Sequence, residues 1–381
     1  MRLSAKKRPL PSLSGLPSQD RRPGKEKEQA KRKDLRMEIE EMHRIARERF
    51  RGVCRVCPVC NGRACAGEMP GIGGVGTGSS FMANFDTLYR IKLNLRTIHD
   101  ASSPDISYSF FGKSLTMPIL VAPMAGMAMN MNNAMEERDF LKALIEGAKE
   151  AGSLAFTADG PNPIFCALGF EILKENEGWG VPTIKPRERE AFLNLVREAE
   201  QSRVIAVASD IDAAGIIHMR RAGQPAGPWP VEDWKRKISR TNLPFILKGV
   251  MTVQDALLAV EAGAGGIVVS NHGGRVLDHT AGTAEVLPEI ARAVRGKTKI
   301  FVDGGVRSGG DVLKMLALGA EAVLVGRPMA VAAVGGREEG VSLLLNHYAQ
   351  ELRTAMIYAG CASLKEIDSS VLYSPSPRPL P

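Results

Sequence analysis

The sequence predicts a (β/α)8 barrel with a helical N-terminal extension. Eight short apolar or β-branched runs alternate with longer helical stretches. Their starts lie roughly 20 to 40 residues apart, the room that a strand, a loop, a helix and a second loop require, and alternating βα units imply a parallel sheet. The runs also tend to end in polar or glycine-rich segments, and in a barrel the strand ends carry the chemistry. Eight such units in succession fit a closed barrel better than an open doubly wound sheet. The 381 residues leave about 330 after an N-terminal arm, enough for one barrel of about 250 residues plus extensions.

The arm comes first. Residues 1–53 hold 16 basic and eight acidic side chains, while the rest of the chain holds 34 of each, so the whole net charge of +8 belongs to this segment. The charge-balanced body is therefore not a nucleic-acid binder on charge grounds. Residues 1–24 mix Pro9, Pro11, Pro17 and Pro23 with serines and bases, which predicts a disordered basic arm. Residues 25–53 are expected to form an amphipathic helix, with Leu35, Ile39, Met42, Ala46 and Phe50 on one stripe. A Cys/Gly-rich segment over 54–80, the barrel over 81–373 and a Pro-rich tail over 374–381 complete the expected organisation. No stretch reaches the length of a membrane span and no secretory signal is evident, which predicts a cytoplasmic protein; a homo-oligomer is also expected.

The expected strands are 118–122, 153–157, 180–184, 204–210, 244–248, 266–271, 299–303 and 322–326. Strand four delivers Asp210, with Asp212 two positions on, and strand five delivers Lys248. Strand six runs into Ser270, Asn271, His272, Gly273, Gly274 and Arg275. Strand seven ends in Asp303, Gly304 and Gly305, followed by Arg307, and strand eight ends in Gly326 and Arg327. Glycines with free amides beside an arginine, opening a helix after strands seven and eight, form a nest for a phosphate-bearing ligand. His272 precedes two glycines that let backbone and ligand approach closely, and its neighbours favour a proton-transfer role. Asp210 would orient the imidazole, Arg275 would hold an anionic substrate, and Lys248 would stabilise negative charge on a cofactor ring. The alternative for Asp210 and Lys248 is a buried ion pair across the barrel mouth.

Ser270 to Arg275 followed by Leu277-Asp278, with Lys248-Gly249-Val250, Asp303 to Arg307, Gly326-Arg327-Pro328 and Ala122-Pro123-Met124-Ala125, resembles the FMN-dependent 2-hydroxy acid oxidases and dehydrogenases, a family that includes glycolate and lactate oxidases. The resemblance implies an FMN-dependent oxidation of a small (S)-2-hydroxy acid, lactate or glycolate like, to the 2-oxo acid, with an unnamed electron acceptor. It implies that the flavin lies beside Lys248 and residues 122–125, with its phosphate on the Gly305/Arg307 and Gly326/Arg327 turns. It also implies that His272 takes the α-proton, that Asp210 pairs with it, and that Arg275 binds the carboxylate. Two tyrosines of the family pattern are replaced by Pro70 and Pro182, and a second carboxylate-binding arginine by Ile217, with Arg220 and Arg221 just beyond.

Two other readings compete: an FMN barrel of another chemistry, such as the type 2 isopentenyl diphosphate isomerases, and a non-catalytic flavin-binding protein. The His-Gly-Gly-Arg turn argues against the first. Cys54, Cys57, Cys60 and Cys65, spaced C-x2-C-x2-C-x4-C, are not ordinary in the family. Four thiolates so close suit zinc or an iron–sulfur cluster, with unliganded redox cysteines as the alternative.

Overall fold

The computed structural model describes residues 39–224 and 226–374. The basic arm, the first part of the expected helix and residues 375–381 of the tail lie outside them. The chain divides into two units, residues 1–40 and 41–381. Of the first, residues 39 and 40 are described, and both are helical.

Helix α1 (39–50) runs from residue 41 onward in the second unit, and there it buries Met42, Ala46 and Phe50, three members of the stripe that its periodicity predicts. After the irregular cysteine segment comes α2 (Ser79–Arg90), and then a hairpin of β1 (Tyr108–Phe110) and β2 (Lys113–Leu115). Eight parallel strands follow: β3 (Ile119–Val121), β4 (Phe156–Thr157), β5 (Val181–Ile184), β6 (Val207–Asp210), β7 (Phe245–Val250), β8 (Gly266–Val269), β9 (Lys299–Val302) and β10 (Ala322–Val325). Each falls within, or within two residues of, one of the eight expected runs. Pairing runs in sequence order from β4 to β10, and β10 returns to pair with β3. The last gap closes through a parallel bridge between Val121 and Ala155, with Val121 N–H donating to Leu154 O at 3.0 Å. A closed (β/α)8 barrel results.

Short helices α3 (Met127–Asn130) and α7 (Ile217–Arg221) lie on the loops after β3 and β6. The outer layer consists of α4 (Glu137–Glu150), α5 (Ile164–Glu175), α6 (Arg189–Gln201), α8 (Val231–Ile238), α9 (Val253–Glu261), α10 (Thr283–Val294), α11 (Gly309–Ala317) and α12 (Arg327–Ala359), which is broken at Arg337. Close approach at this break needs glycine. A Cβ on Gly335 would lie 2.2 Å from Met42 O, and one on Gly147 would lie 2.4 Å from Glu338 O, so α1 and α4 both press against α12 where side chains are absent.

Leu120, Phe156, Ala208, Val268, Phe301 and Leu324 belong to the buried barrel core. Below them the hairpin acts as a stopper. Phe110 and Phe111 pack against Phe301 with ring centroids 5.4 and 6.3 Å away, next to Gly266 at the start of β8. With the N-terminal end sealed by aromatic packing, the open end is the one where the strands finish. Among the described residues no helix is long and apolar enough to cross a membrane.

Candidate active site

A cavity opens at the C-terminal ends of the strands. Its wall includes Ala122, Pro123, Met124, Ala125, Asp210, Lys248, His272, Arg275, Asp303, Gly304, Gly305, Arg307, Gly326 and Arg327. Of the residues expected at the site, Ser270 is fully buried behind this wall, where its Oγ accepts from His272 N–H at 3.0 Å. The four cysteines line a separate pocket.

The turn after β8 is unusual in its backbone. His272, Gly273 and Gly274 have φ values of 57°, 65° and 75°, three left-handed residues in succession. For a histidine this conformation costs energy, and it persists because its surroundings over-determine it. Asn271 does much of this. Its Oδ1 accepts from Asn84 Nδ2 at 2.7 Å and from Gly274 N–H at 3.1 Å, and its Nδ2 donates to Thr280 Oγ1 and Ala281 O, each at 3.1 Å. The buried amide thereby ties the turn to α2 and to the loop leading into α10.

The carboxylate partner of His272 differs from the sequence expectation. His272 Nδ1 lies 3.0 Å from Asp212 Oδ1, not on Asp210. The reason is local. Strand β6 ends at Asp210, and the 3-10 turn Ile211–Gly215 brings Asp212 back over the barrel mouth toward the β8 turn. Asp210 is held by two ammonium groups, Lys185 Nζ at 3.2 Å from Oδ2 and Lys248 Nζ at 3.2 Å from Oδ1. The second contact is an ion pair without hydrogen-bond alignment, which leaves Oδ1 buried with no hydrogen-bond partner among the described residues. The ion-pair alternative for Asp210 and Lys248 is thus the arrangement found, and Lys248 also stands 3.6 Å from Asp303 Oδ2.

Electrostatics follow from this crowding. Burial opposes the charge on Asp210, yet the two ammonium groups hold its carboxyl far below the usual range. Lys248 is likewise opposed by burial but carried above the usual lysine range by Asp210 and Asp303. Burial raises the carboxyl of Asp303 despite Lys248. Arg275 is pushed down to about 9 by burial and then by Arg327, which leaves it cationic at neutral pH.

Several groups in the cavity were not singled out from the sequence. Lys185 at the end of β5 and His218 on α7 both line it. His218 is lowered to about 4 by burial and then by Arg275, so it is neutral at pH 7, and its Nε2 is buried without a hydrogen-bond partner among the described residues. Asp159, after β4, accepts from Lys185 N–H at 3.0 Å and from Arg187 Nε at 2.9 Å, bracing the two loops. Lys185 and Asp159 follow expected strands and were detectable from that position. His218 had no signal, because α7 is an irregular loop helix. Arg220 and Arg221 are exposed, and neither takes the place of the family's second arginine.

Arg275 donates from Nη1 to Gly71 O and from Nη2 to Asn130 Oδ1 at 3.0 Å. Arg327 donates from Nε to Ile72 O at 2.7 Å and from Nη2 to Gly73 O at 3.0 Å, and Arg307 donates from Nε to Cys60 O at 3.0 Å. The two arginines expected to clamp a phosphate therefore line the cavity while their guanidinium groups anchor the 54–80 segment. That segment is pinned a second time by Asp278. Its carboxylate accepts from Thr77 N–H, Thr77 Oγ1, Ser79 N–H at 3.1 Å, Ser79 Oγ at 2.7 Å and His279 N–H, which holds it well below the usual range. Asp278→Ala is expected to raise amide hydrogen exchange at Thr77 and Ser79 by about tenfold or more, the loss of roughly one charge-assisted hydrogen bond. Unchanged protection at both amides would contradict this pinning role.

The residues present fit an FMN. Asp303 Oδ1 is buried on the wall without a hydrogen-bond partner among the described residues, and a hydroxylated chain supplies the donor it lacks. A Cβ on Gly326 would meet nothing closer than Ala122 Cβ at 3.8 Å and Met124 Sδ at 3.9 Å, so the wall has room there. A cationic amine and a glycine-rich turn suit, respectively, an electron-rich ring and a phosphate.

Fold and site together define a flavin-type barrel oxidoreductase. The family model for FMN-dependent dehydrogenase matches residues 72–226 and 218–374. The chain is 35% identical over 348 residues to a 4-hydroxymandelate oxidase of Amycolatopsis orientalis, covering 79% of this chain and 94% of that protein. It is 31% identical to an L-lactate oxidase of Nostoc sp., covering 79% and 92%. A solved structure of mandelate oxidase with benzoyl-formic acid superposes with a TM-score of 0.70 at 32% identity, over 88% of this chain and 97% of that one. The chain belongs to the FMN-dependent 2-hydroxy acid oxidase and dehydrogenase family, and it is an enzyme of that class.

Proposed function

We propose that the enzyme oxidises a small (S)-2-hydroxy acid, lactate or glycolate like, to the 2-oxo acid, with His272 as the base. The observation that carries this reading is that His272, held at Nδ1 by Asp212, lines one cavity with Arg275. A carboxylate on Nδ1 fixes the tautomer with its proton there and leaves the Nε2 lone pair available. Arg275, positioned by Gly71 O and Asn130 Oδ1, offers its charge to the substrate carboxylate. His272 takes the α-proton at Nε2, and Asp212 stabilises the imidazolium that forms. When bound, FMN supplies the two-electron acceptor that turns the alcohol carbon into a carbonyl; Lys248, and the turns carrying Gly305/Arg307 and Gly326/Arg327, are the residues that would hold it.

In place of the two family tyrosines, represented here by Pro70 and Pro182, the cavity carries Lys185 and a neutral His218 whose Nε2 has no partner among the described residues. We assign His218 to the substrate hydroxyl or to a polar substituent. Lys185, already paired with Asp210, adds positive potential to the cavity wall. The relatives' names cover an aromatic and a small hydroxy acid, and the polar wall favours the small one.

Anaerobic mixing of the flavin-loaded protein with glycolate, lactate and mandelate tests the reading. Lactate or glycolate is expected to bleach the flavin, whereas bleaching by dithionite and by none of the three acids would end it. The cofactor question at the four cysteines is independent of this outcome.

A further inference from the structure

We propose that Cys54, Cys57, Cys60 and Cys65 bind a [4Fe–4S] cluster. All four are free thiols, partly buried, and line one pocket together with Arg307, Arg327 and Tyr348. Their convergence is not a consequence of spacing alone. It is built by long-range contacts, because Arg47 Nη2 donates to Val56 O at 3.0 Å and Arg307 Nε to Cys60 O at 3.0 Å, so the loop is held from α1 and from the β9 turn.

The geometry separates a cluster from a single ion. A zinc ion at about 2.3 Å from each sulfur requires Sγ atoms about 3.8 Å apart in a tetrahedron. Among the described residues, no three cysteine sulfurs lie within 4.8 Å of one another; the one group of three potential ligands that meets this criterion is Asp210, Asp212 and His272. The thiols instead ring a cavity, as a cuboidal cluster requires, since each of its four iron atoms carries its own thiolate. Cys54, Cys57 and Cys60 match the C-x2-C-x2-C part of the ferredoxin run, whose fourth cysteine serves a second cluster; here Cys65, with a longer C-x4-C interval, is the fourth ligand assigned to the same cluster.

The surroundings match the charge and the hydrogen bonding of such a centre. Four thiolates around an oxidised cluster leave net negative charge. Arg307 and Arg327 face the pocket, and neither forms a salt bridge with a carboxylate among the described residues. Arg307 Nη2 lies 3.5 Å from Cys60 Sγ, and Val56 N–H donates to Cys54 Sγ at 3.4 Å. Donors aimed at sulfur are what tunes and holds these clusters. The pocket shares Ile72, Arg307 and Arg327 with the flavin-type cavity, so the cluster site and that cavity have a common wall.

The test is metal and sulfide analysis of the full chain purified without oxygen. About four iron atoms and four acid-labile sulfides per chain are expected, without stoichiometric zinc. Cys57→Ser with Cys60→Ser is expected to abolish both while bound FMN is retained, and Cys166→Ser is expected to change neither. One zinc per chain, two irons per chain, or wild-type protein free of both metals after cluster reconstitution would each overturn the assignment. Because iron and sulfide are counted without turnover, this result stands apart from whether any hydroxy acid reduces the flavin.

Discussion

His272→Gln is expected to keep its flavin and to reduce it at least about 10²-fold more slowly, the lower range for loss of a general base. Glutamine preserves size and polarity but has no basic nitrogen, so binding and chemistry are separated. The turn should survive, since its left-handed backbone is held by Asn271 and by Ser270 Oγ rather than by the imidazole. The measurement is anaerobic stopped-flow flavin reduction under saturating substrate, and an undiminished rate would remove His272 from the role. The same experiment decides between the two aspartates. Asp212→Asn should slow reduction while leaving the fold intact, because it removes the charge that stabilises an imidazolium 3.0 Å away. If Asp210→Asn alone slowed the step, the pairing proposed here would be wrong.

Lys248→Met is expected to cost about 3–5 kcal/mol of folding stability, the usual consequence of removing one partner from a buried ion pair. Lys248 and Asp210 are each only 3% exposed at the side chain, and Asp303 lies on the same ammonium. Methionine fills most of the volume, so the loss is of charge rather than of packing. Asp210 would then keep Lys185, and Asp303 would have no ammonium partner among the described residues. The pH dependence follows from the directions of the shifts. Asp210 has its carboxyl depressed in the folded state, so its contribution is present above the unfolded value of about 3.9 and is lost as pH falls toward the folded one. Lys248 is raised, so its contribution is present below about 10.4 and is lost as pH rises through the folded value. Between these limits the variant should show its full deficit, and its acid unfolding should begin at higher pH than in the wild type. Thermal melts from pH 3 to pH 10 check this, and equal melting temperatures throughout would refute it.

The barrel was readable because its signals are local and repeated. A run such as Gly266–Val269 must be apolar to lie inside a parallel sheet, and the turn after it must be polar and glycine-rich to stand at the open end. Even β5, which carries Pro182 within the sheet, was marked by its position between two helical stretches. The candidate site was readable to the level of which strand ends contribute. Lys248, His272, Arg275 and Asp303 were placed because each lies near the C-terminal end of a strand or in the turn after it. Pairings within the site were less accessible. Asp210 and Asp212 are two residues apart, both acidic, and equally suited to an imidazole by type. His218 and Asn130, on short loop helices, carried no periodic signal at all.

Sequence therefore settled the fold class, the location of all the net charge in residues 1–53, and the inventory of reactive groups, since these rest on periodicity, composition and the fixed rule for strand ends. Tertiary structure decided which groups touch. The 3-10 turn after β6 moved the imidazole's partner from Asp210 to Asp212, two lysines neutralised the carboxylate that remained, and the guanidinium groups of Arg307 and Arg327 turned toward the cysteine-bearing segment. Each of these outcomes depends on contacts between residues far apart in the chain, where distances of a few ångströms set the electrostatic energy and sequence spacing carries no information about them.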